Sequence, residues 1–273
     1  VKAFHKVQGQ DLRNPVNILG NYDLLVCNAG LEAEAIRERT KDSAVLLAGV
    51  NCRQVPRYGT AVGGFYELLR ADMDDDTYYR IGADGGRQPG VKGGGGTYNT
   101  WELNPWNLDG AVTYAQSIAD LLGDWPAGAG GLYLDDCTWG IPPWRLEALG
   151  IPNTLLWVEQ VVARAWLRVF LKTLRTLVPA PFMLVANTWG GSRFRLEELA
   201  GVMGGESELP CELLQLLDGV TVEQPDVRDF HLFMDMAERR GSRDDLSRTC
   251  NVAWECAMQL PGVVMPGDNF KRK

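Results

Sequence analysis

Two adjacent carboxylates, Asp135 and Asp136, close the run Gly130-Gly-Leu-Tyr-Leu134. A short apolar run bounded by glycines reads as a buried strand, and ionised carboxylates beside a core cost free energy unless they are hydrogen-bonded or used. Glu223 repeats the pattern at the end of Asp218-Gly-Val-Thr-Val-Glu223, with Pro225 just beyond. Two carboxylates on non-adjacent strands can face each other across a mouth. One then gives a proton to a leaving group while the other attacks or activates water. Because neighbours along a strand face opposite ways, only one of Asp135 and Asp136 can point along the axis of such a mouth. Glu102 and Glu255 also lie near strand-like ends and rank below Glu223 as the second carboxylate.

The elements that must position these acids follow from apolar patterning. Strand candidates centre near Phe4, Leu25, Leu47, Trp101, Leu132, Leu184, Val220 and Ala253. Helical composition separates most of them: Glu32 to Lys41, Phe65 to Met73, a helix capped by Asp109 with Val112, Ala115, Ile118, Ala119 and Leu122 at helical spacing, Leu155 to Leu177, and Phe230 to Arg240. On the longest of these, Val158, Val162, Ala165 and Val169 form an apolar stripe and Arg164, Arg168, Lys172 and Arg175 a basic, solvated one. Parallel strands alternating with helices predict an α/β fold, a single (β/α)8 TIM barrel over 1–273 with active residues at the carboxyl rim. A doubly wound open sheet is the alternative, because periodicity does not register closure. The glycine-rich stretch Gly82 to Gly96 reads as a long βα loop bordering the mouth.

Three segments, Trp101 to Pro105, Gly131 to Asp136 and Asp218 to Glu223, resemble the strands of glycoside hydrolase-like (β/α)8 barrels, including the endo-polygalactosaminidase group. The resemblance implies hydrolysis of a glycosidic bond in an oligo- or polysaccharide. It places a catalytic acid at Asp135, directly after Leu134, leaves Asp136 as a supporting or capping residue, and extends to Glu223 as the second carboxylate. In such enzymes carboxyl groups about 5 to 5.5 Å apart imply retention and about 6.5 to 9.5 Å inversion. The chain departs from the family pattern in its glycine-rich insertion and in a tail holding Pro261, Pro266 and Gly267 where an eighth helix is expected.

A sugar-binding mouth fits the other residues at strand ends. Asn28, Asn51, Arg53, Asn104 and Asn187 are candidates to hydrogen-bond hydroxyls, and Trp101, Trp139, Trp189 and Trp254 to stack on sugar faces. A non-catalytic carbohydrate-binding or structural barrel in a cell-surface or virion-associated assembly is the competing reading. A lyase or aldolase would need a Schiff-base lysine, for which Lys6 is the candidate.

A net charge of -8 opposes a nucleic-acid backbone. No run of apolar residues is long enough to span a bilayer, so the chain is expected to be soluble. The two histidines, His5 and His231, form no H-E-x-x-H, and the chemistry calls for no metal and no cofactor. The acidic run from Asp72 to Asp76 resembles a calcium loop, but Thr77 replaces the required glycine. Six cysteines without a C-x-x-C pair read as buried free thiols. A first residue of Val with no leader before it leaves the compartment open, and the chain is expected to be a piece of a longer or processed polypeptide.

Overall fold

The computed structural model describes residues 4–7, 12–13, 15–28, 33–57, 65–92, 96–123, 129–141, 143–178, 181–187, 213, 216–224, 230–235 and 263–266. In chain order these hold β1 (Phe4–Lys6), β2 (Leu24–Asn28), α1 (Ala33–Arg39), β3 (Val45–Asn51), β4 (Gln54–Pro56), α2 (Phe65–Asp72), β5 (Pro89–Lys92), β6 (Gly96–Glu102) and α3 (Leu108–Gly123). There follow β7 (Gly131–Asp135), α4 (Pro143–Ala148), α5 (Leu156–Leu177), β8 (Met183–Asn187), β9 (Gly219–Gln224), β10 (Phe230–Asp235) and β11 (Val263–Pro266).

The fold is mixed α/β around one eight-stranded sheet in the order β1-β2-β3-β7-β8-β9-β10-β11. From β1 to β9 neighbouring strands are parallel, whereas β10 is antiparallel to β9 and β11 antiparallel to β10. Eight uniformly parallel strands are therefore not what the sequence builds. The segment from Phe230 is a strand rather than a helix, and β11 occupies the last place. The strand expected near Ala253 lies outside the described residues. The strand around Trp101 is also reassigned: β6 pairs antiparallel with β4 and β5 in a separate three-stranded sheet. This second sheet, with α2 and α3, is the crossover from β3 to β7. The stretch read as a glycine-rich loop thus contains β5 and runs into the start of β6.

Along β2, β3, β7 and β8 both faces of the main sheet are buried, as parallel strands require. On one face Leu25, Leu46, Ala48, Leu132, Leu134, Leu184 and Ala186 join the large core with residues of α3 and α5. On the other, Leu24, Val26, Leu47, Tyr133 and Val185 form a cluster of their own. The edge strands β1 and β11 approach one another. The β7–β8 pair is tight at its start: a Cβ on Gly131, whose φ is +157°, would lie 2.0 Å from the Met183 carbonyl oxygen. Only glycine fits there.

Helix α3 is started by Asn107, whose Oδ1 accepts from the Gly110 N–H at 3.0 Å; Asp109, the expected cap, lies inside the first turn. Its neighbour α5 buries Ala163, Trp166, Leu167, Phe170, Leu171 and Leu174. The stripe expected to face the core, Val158, Val162, Ala165 and Val169, is only half-buried. The basic stripe is likewise not simply solvated. Arg164 donates to the Trp139 carbonyl, Arg164 and Arg168 lie over the Trp139 ring, and Arg175 pairs with Asp218 at 2.7 Å. Cys27, Cys52 and Cys137 are buried and unbridged, as expected of free thiols.

Candidate functional site

Parallel register carries three polar residues to one rim. Asn51 at the end of β3 pairs with Asp135 at the end of β7, and Leu134 pairs with Ala186, so that Asn187 follows at the end of β8. Counting back in steps of two, Asp135 shares a face with Tyr133, Asn187 with Val185, and Asn51 with Leu47, residues of the smaller buried cluster. Asp135, Asn51 and Asn187 are thus the polar ends of that face. The Asn187 Nδ2 donates to Asp135 Oδ1 at 3.0 Å, and the Asp136 N–H donates to the same oxygen at 3.0 Å.

Above this rim opens a cleft of about 290 Å³. Asn51, Asp135 and Asp136 line its base; Gln54, Val91, Tyr98 and Thr100 of the second sheet make one wall; Trp144 and Arg145 of α4 make another. Asp136 has φ +56°, a left-handed conformation that few residues besides glycine, Asn and Asp adopt. Its Oδ2 forms an ion pair with Arg145 Nη1. Arg145 is buried, and its Nη2 also reaches both oxygens of Glu102, at 3.0 and 2.9 Å. Burial works against the guanidinium charge, but Asp136 and then Glu102 outweigh it, so Arg145 holds its proton more strongly than usual.

Glu102 is equally enclosed. Gln54 Nε2 donates to its Oε1 at 2.8 Å and the Val91 N–H at 3.1 Å, while Thr100 donates to Gln54 Oε1 at 2.9 Å. With its oxygens taken by donors, Glu102 anchors the second sheet to α4 and is poorly placed to give a proton.

Beneath the rim, Arg53 donates to the carbonyls of Thr138 and Gly140 at 2.6 and 3.2 Å, and its backbone N–H to Asn51 Oδ1 at 2.8 Å. Burial lowers the proton affinity of its guanidinium, with Asp136 pulling the other way. It braces the loop after β7 from behind. The Cys52 thiol, hydrogen-bonded to Cys137, is pushed well up by burial first and by that bond next. Both are inert packing at this depth.

Of the expected site residues, Asn51, Asp135, Asp136 and Asn187 are brought together, with Glu102 one guanidinium away. Asn28 ends β2 in register with Gly49. Glu223 lies on β9 in register with His231, two positions beyond Thr221, which pairs with Asn187. Trp189, Trp254 and Glu255 lie outside the described residues, as does the carboxyl separation between Asp135 and Glu223. Three of the expected residues make contacts of another kind. Trp101 is turned away from Thr100 and Glu102 by strand alternation, packing edge-on to Tyr79 with Arg57 and Arg87 at its ring. Trp139 is buried beneath two arginines. Asn104 donates to the Thr77 carbonyl and accepts from the Trp106 N–H, holding a loop together. The aromatic residues that do line the cleft, Tyr98 and Trp144, were not singled out, nor were Gln54, Thr100 and Arg145. The alternation Tyr98-x-Thr100-x-Glu102 carried the signal for the first wall; nothing in the sequence marked Arg145.

The acidic run around Asp74 is exposed as expected, though Asp74 and Asp76 pair with Arg87 at 3.2 and 2.6 Å. Among the described residues no group of His, Cys, Asp and Glu is arranged to hold a metal ion, and no helix is long and apolar enough to cross a membrane.

No protein family's sequence profile matches the chain, and no curated relative matches it. Among solved structures it is similar to the glycoside hydrolase domain of PelA from Pseudomonas aeruginosa, at 16% identity and a TM-score of 0.44, over 95% of this chain and 80% of that one. It is also similar to TtGalA, an alpha-galactosidase from Thermus thermophilus, at 14% identity and a TM-score of 0.39, over 68% of this chain and 37% of that one. Likenesses this slight assign neither the fold nor the activity.

Proposed function

We propose that the chain is a glycoside hydrolase, built as a single curled (β/α)8-like barrel, in which Asp135 and Glu223 share the nucleophile and acid/base roles on a carbohydrate substrate. One observation carries this reading: Asp135 sits at the carboxyl rim of a parallel sheet, its Oδ1 fixed by Asn187 and the Asp136 N–H, at the base of a cleft walled by Tyr98 and Trp144. A carboxylate at the base of an aromatic-walled cleft, with amides beside it, suits a sugar ring bound by stacking and by hydroxyl hydrogen bonds. Barrel curvature is supported by the buried cluster on the second sheet face and by the approach of β1 to β11. Asn51 serves as a ligand for hydroxyls, Asn187 orients Asp135, and Glu223 comes from β9.

The test is isosteric replacement. Asp135→Asn or Glu223→Gln should fold normally, and turnover of a glycan hydrolysed by the wild type should fall at least about 10²-fold, the lower range for a lost general acid or base. Full activity in either variant removes that residue from the site. A carbohydrate-binding module is the second reading, favoured by the same aromatic walls and by the engagement of both Asp136 and Glu102 in ion pairs with Arg145. It predicts glycan binding without hydrolysis by the wild type, lost in Trp144→Ala or Tyr98→Ala.

A further inference from the structure

Asp136 adopts an unfavourable left-handed backbone conformation next to the proposed reacting carboxylate, and the surroundings account for it. Its side chain is drawn to Arg145, and the resulting turn aims its N–H at Asp135 Oδ1, 3.0 Å away. Arg145 in turn grips Glu102 at 2.9 and 3.0 Å, and Glu102 is fixed to β4 through Gln54 and to β5 through Val91. An unbroken series of charged and neutral hydrogen bonds therefore runs from all three strands of the second sheet to the oxygen of Asp135. The guanidinium suits the junction because its planar fork can serve two carboxylates in different directions; an ammonium could not hold both in these geometries.

We propose that Arg145 is a positioning residue, which transmits the placement of the second sheet through the Asp136 turn and so fixes the direction of the Asp135 carboxylate. The proposal rests on the reading of Asp135 as a reacting group. The β3–β7 crossover is then part of the site's framework and not only a wall of its cleft. Small misplacement of a reacting group costs on the order of 10²-fold in rate. That is the loss expected when Arg145 is removed.

The test uses the whole chain, a glycan that the wild type hydrolyses, and four variants: Arg145→Lys, the double variant Arg145→Met with Glu102→Gln, Asp136→Gly and Asp136→Asn. The double variant avoids a buried unpaired Glu102 and guards against misfolding. In Arg145→Lys, in the double variant and in Asp136→Gly, kcat should drop about 10²-fold with KM within about threefold of wild type. Asp136→Gly is the sharpest, since glycine accepts φ +56° and the melting temperature should hold or rise while kcat falls. Asp136→Asn, which tolerates the same backbone and still reaches Arg145, should recover kcat to within about tenfold of wild type. A melting temperature that falls while kcat stays at the wild-type value would mean a purely structural junction and overturn the proposal. If instead Asp135→Asn is fully active, or the wild type hydrolyses nothing, the functional reading has failed. A crystal structure of Asp136→Gly then decides the positioning role: Asn187 still 3.0 Å from Asp135 Oδ1 overturns it, and a displaced Asp135 carboxylate upholds it.

Discussion

Phe170 offers a measurable link between the packing of the helices and the end of β3. It is fully buried on α5, in a three-ring cluster with Tyr114 of α3 at 5.5 Å and Trp166 at 5.3 Å, the latter two 6.4 Å from each other. Replacing it by Ala leaves a gap flanked by two large, rigid rings, which limits collapse, so the cost should be in the range of about 3–5 kcal/mol. For a chain of 273 residues, at roughly 2.1 cal/mol/K of unfolding entropy per residue, this lowers the melting temperature by about 5–9 °C. Tyr114→Phe is the control. It keeps the ring stack and deletes the hydroxyl that donates to the Asn51 carbonyl at 2.7 Å, a loss of about 1 kcal/mol and hence about 2 °C. Calorimetric melts of both variants, with urea titrations alongside, provide the readings. A fall of less than about 2 °C for Phe170→Ala, or a larger fall for Tyr114→Phe than for Phe170→Ala, would refute this account of the core.

Two further outcomes follow from close approach and from burial. Gly131→Ala should yield little folded protein by circular dichroism, because its Cβ would meet the Met183 oxygen at 2.0 Å and nitrogen at 2.6 Å and force β7 off β8; a melt within about 2 °C of wild type would show that the pair can give way. Burial, opposed by Arg37, pushes the Cys27 thiol from its ordinary value of 9.0 up to about 12. The unfolded chain therefore loses this proton first, so the stability contribution is whole below about pH 9 and declines as pH rises towards 12. Urea midpoints at pH 8 and pH 10.5 should fall less in Cys27→Ala than in wild type, and equal slopes would count against burial as the cause.

The strands that build the rim were legible because they are short apolar runs with buried faces on both sides: Leu24–Asn28, Val45–Asn51, Gly131–Asp135 and Met183–Asn187 are all paired in parallel as expected. Three of their polar carboxyl ends, Asn51, Asp135 and Asn187, lie together on one rim. Pairing partners were not legible. The run ending in Glu102 looks like another barrel strand, and nothing local tells that it pairs with Gln54–Pro56 and Pro89–Lys92 instead. Phe230, Phe233 and Met234 fall at helical spacing, which disguised the strand of β10. On α5 the valines suggested an apolar face, but the core side chose the larger Trp166 and Phe170, and it accepted Glu159 because Arg80 and the Trp106 indole N–H satisfy it.

Arg145 stayed invisible for a related reason: its meaning lies in two carboxylates 9 and 43 residues away in the chain. A buried cation between two acids contributes little net stability, since desolvation of the charges offsets most of their attraction, and apolar side chains of similar volume would hold the same two sheets together at least as well. What apolar packing cannot supply is direction. A guanidinium bonded to Asp136 on one side and Glu102 on the other fixes an orientation, and the residue next to that fixed turn is the carboxylate at the base of the cleft. The charge triad is thus better explained by the geometry it imposes on Asp135 than by the stability it gives the fold.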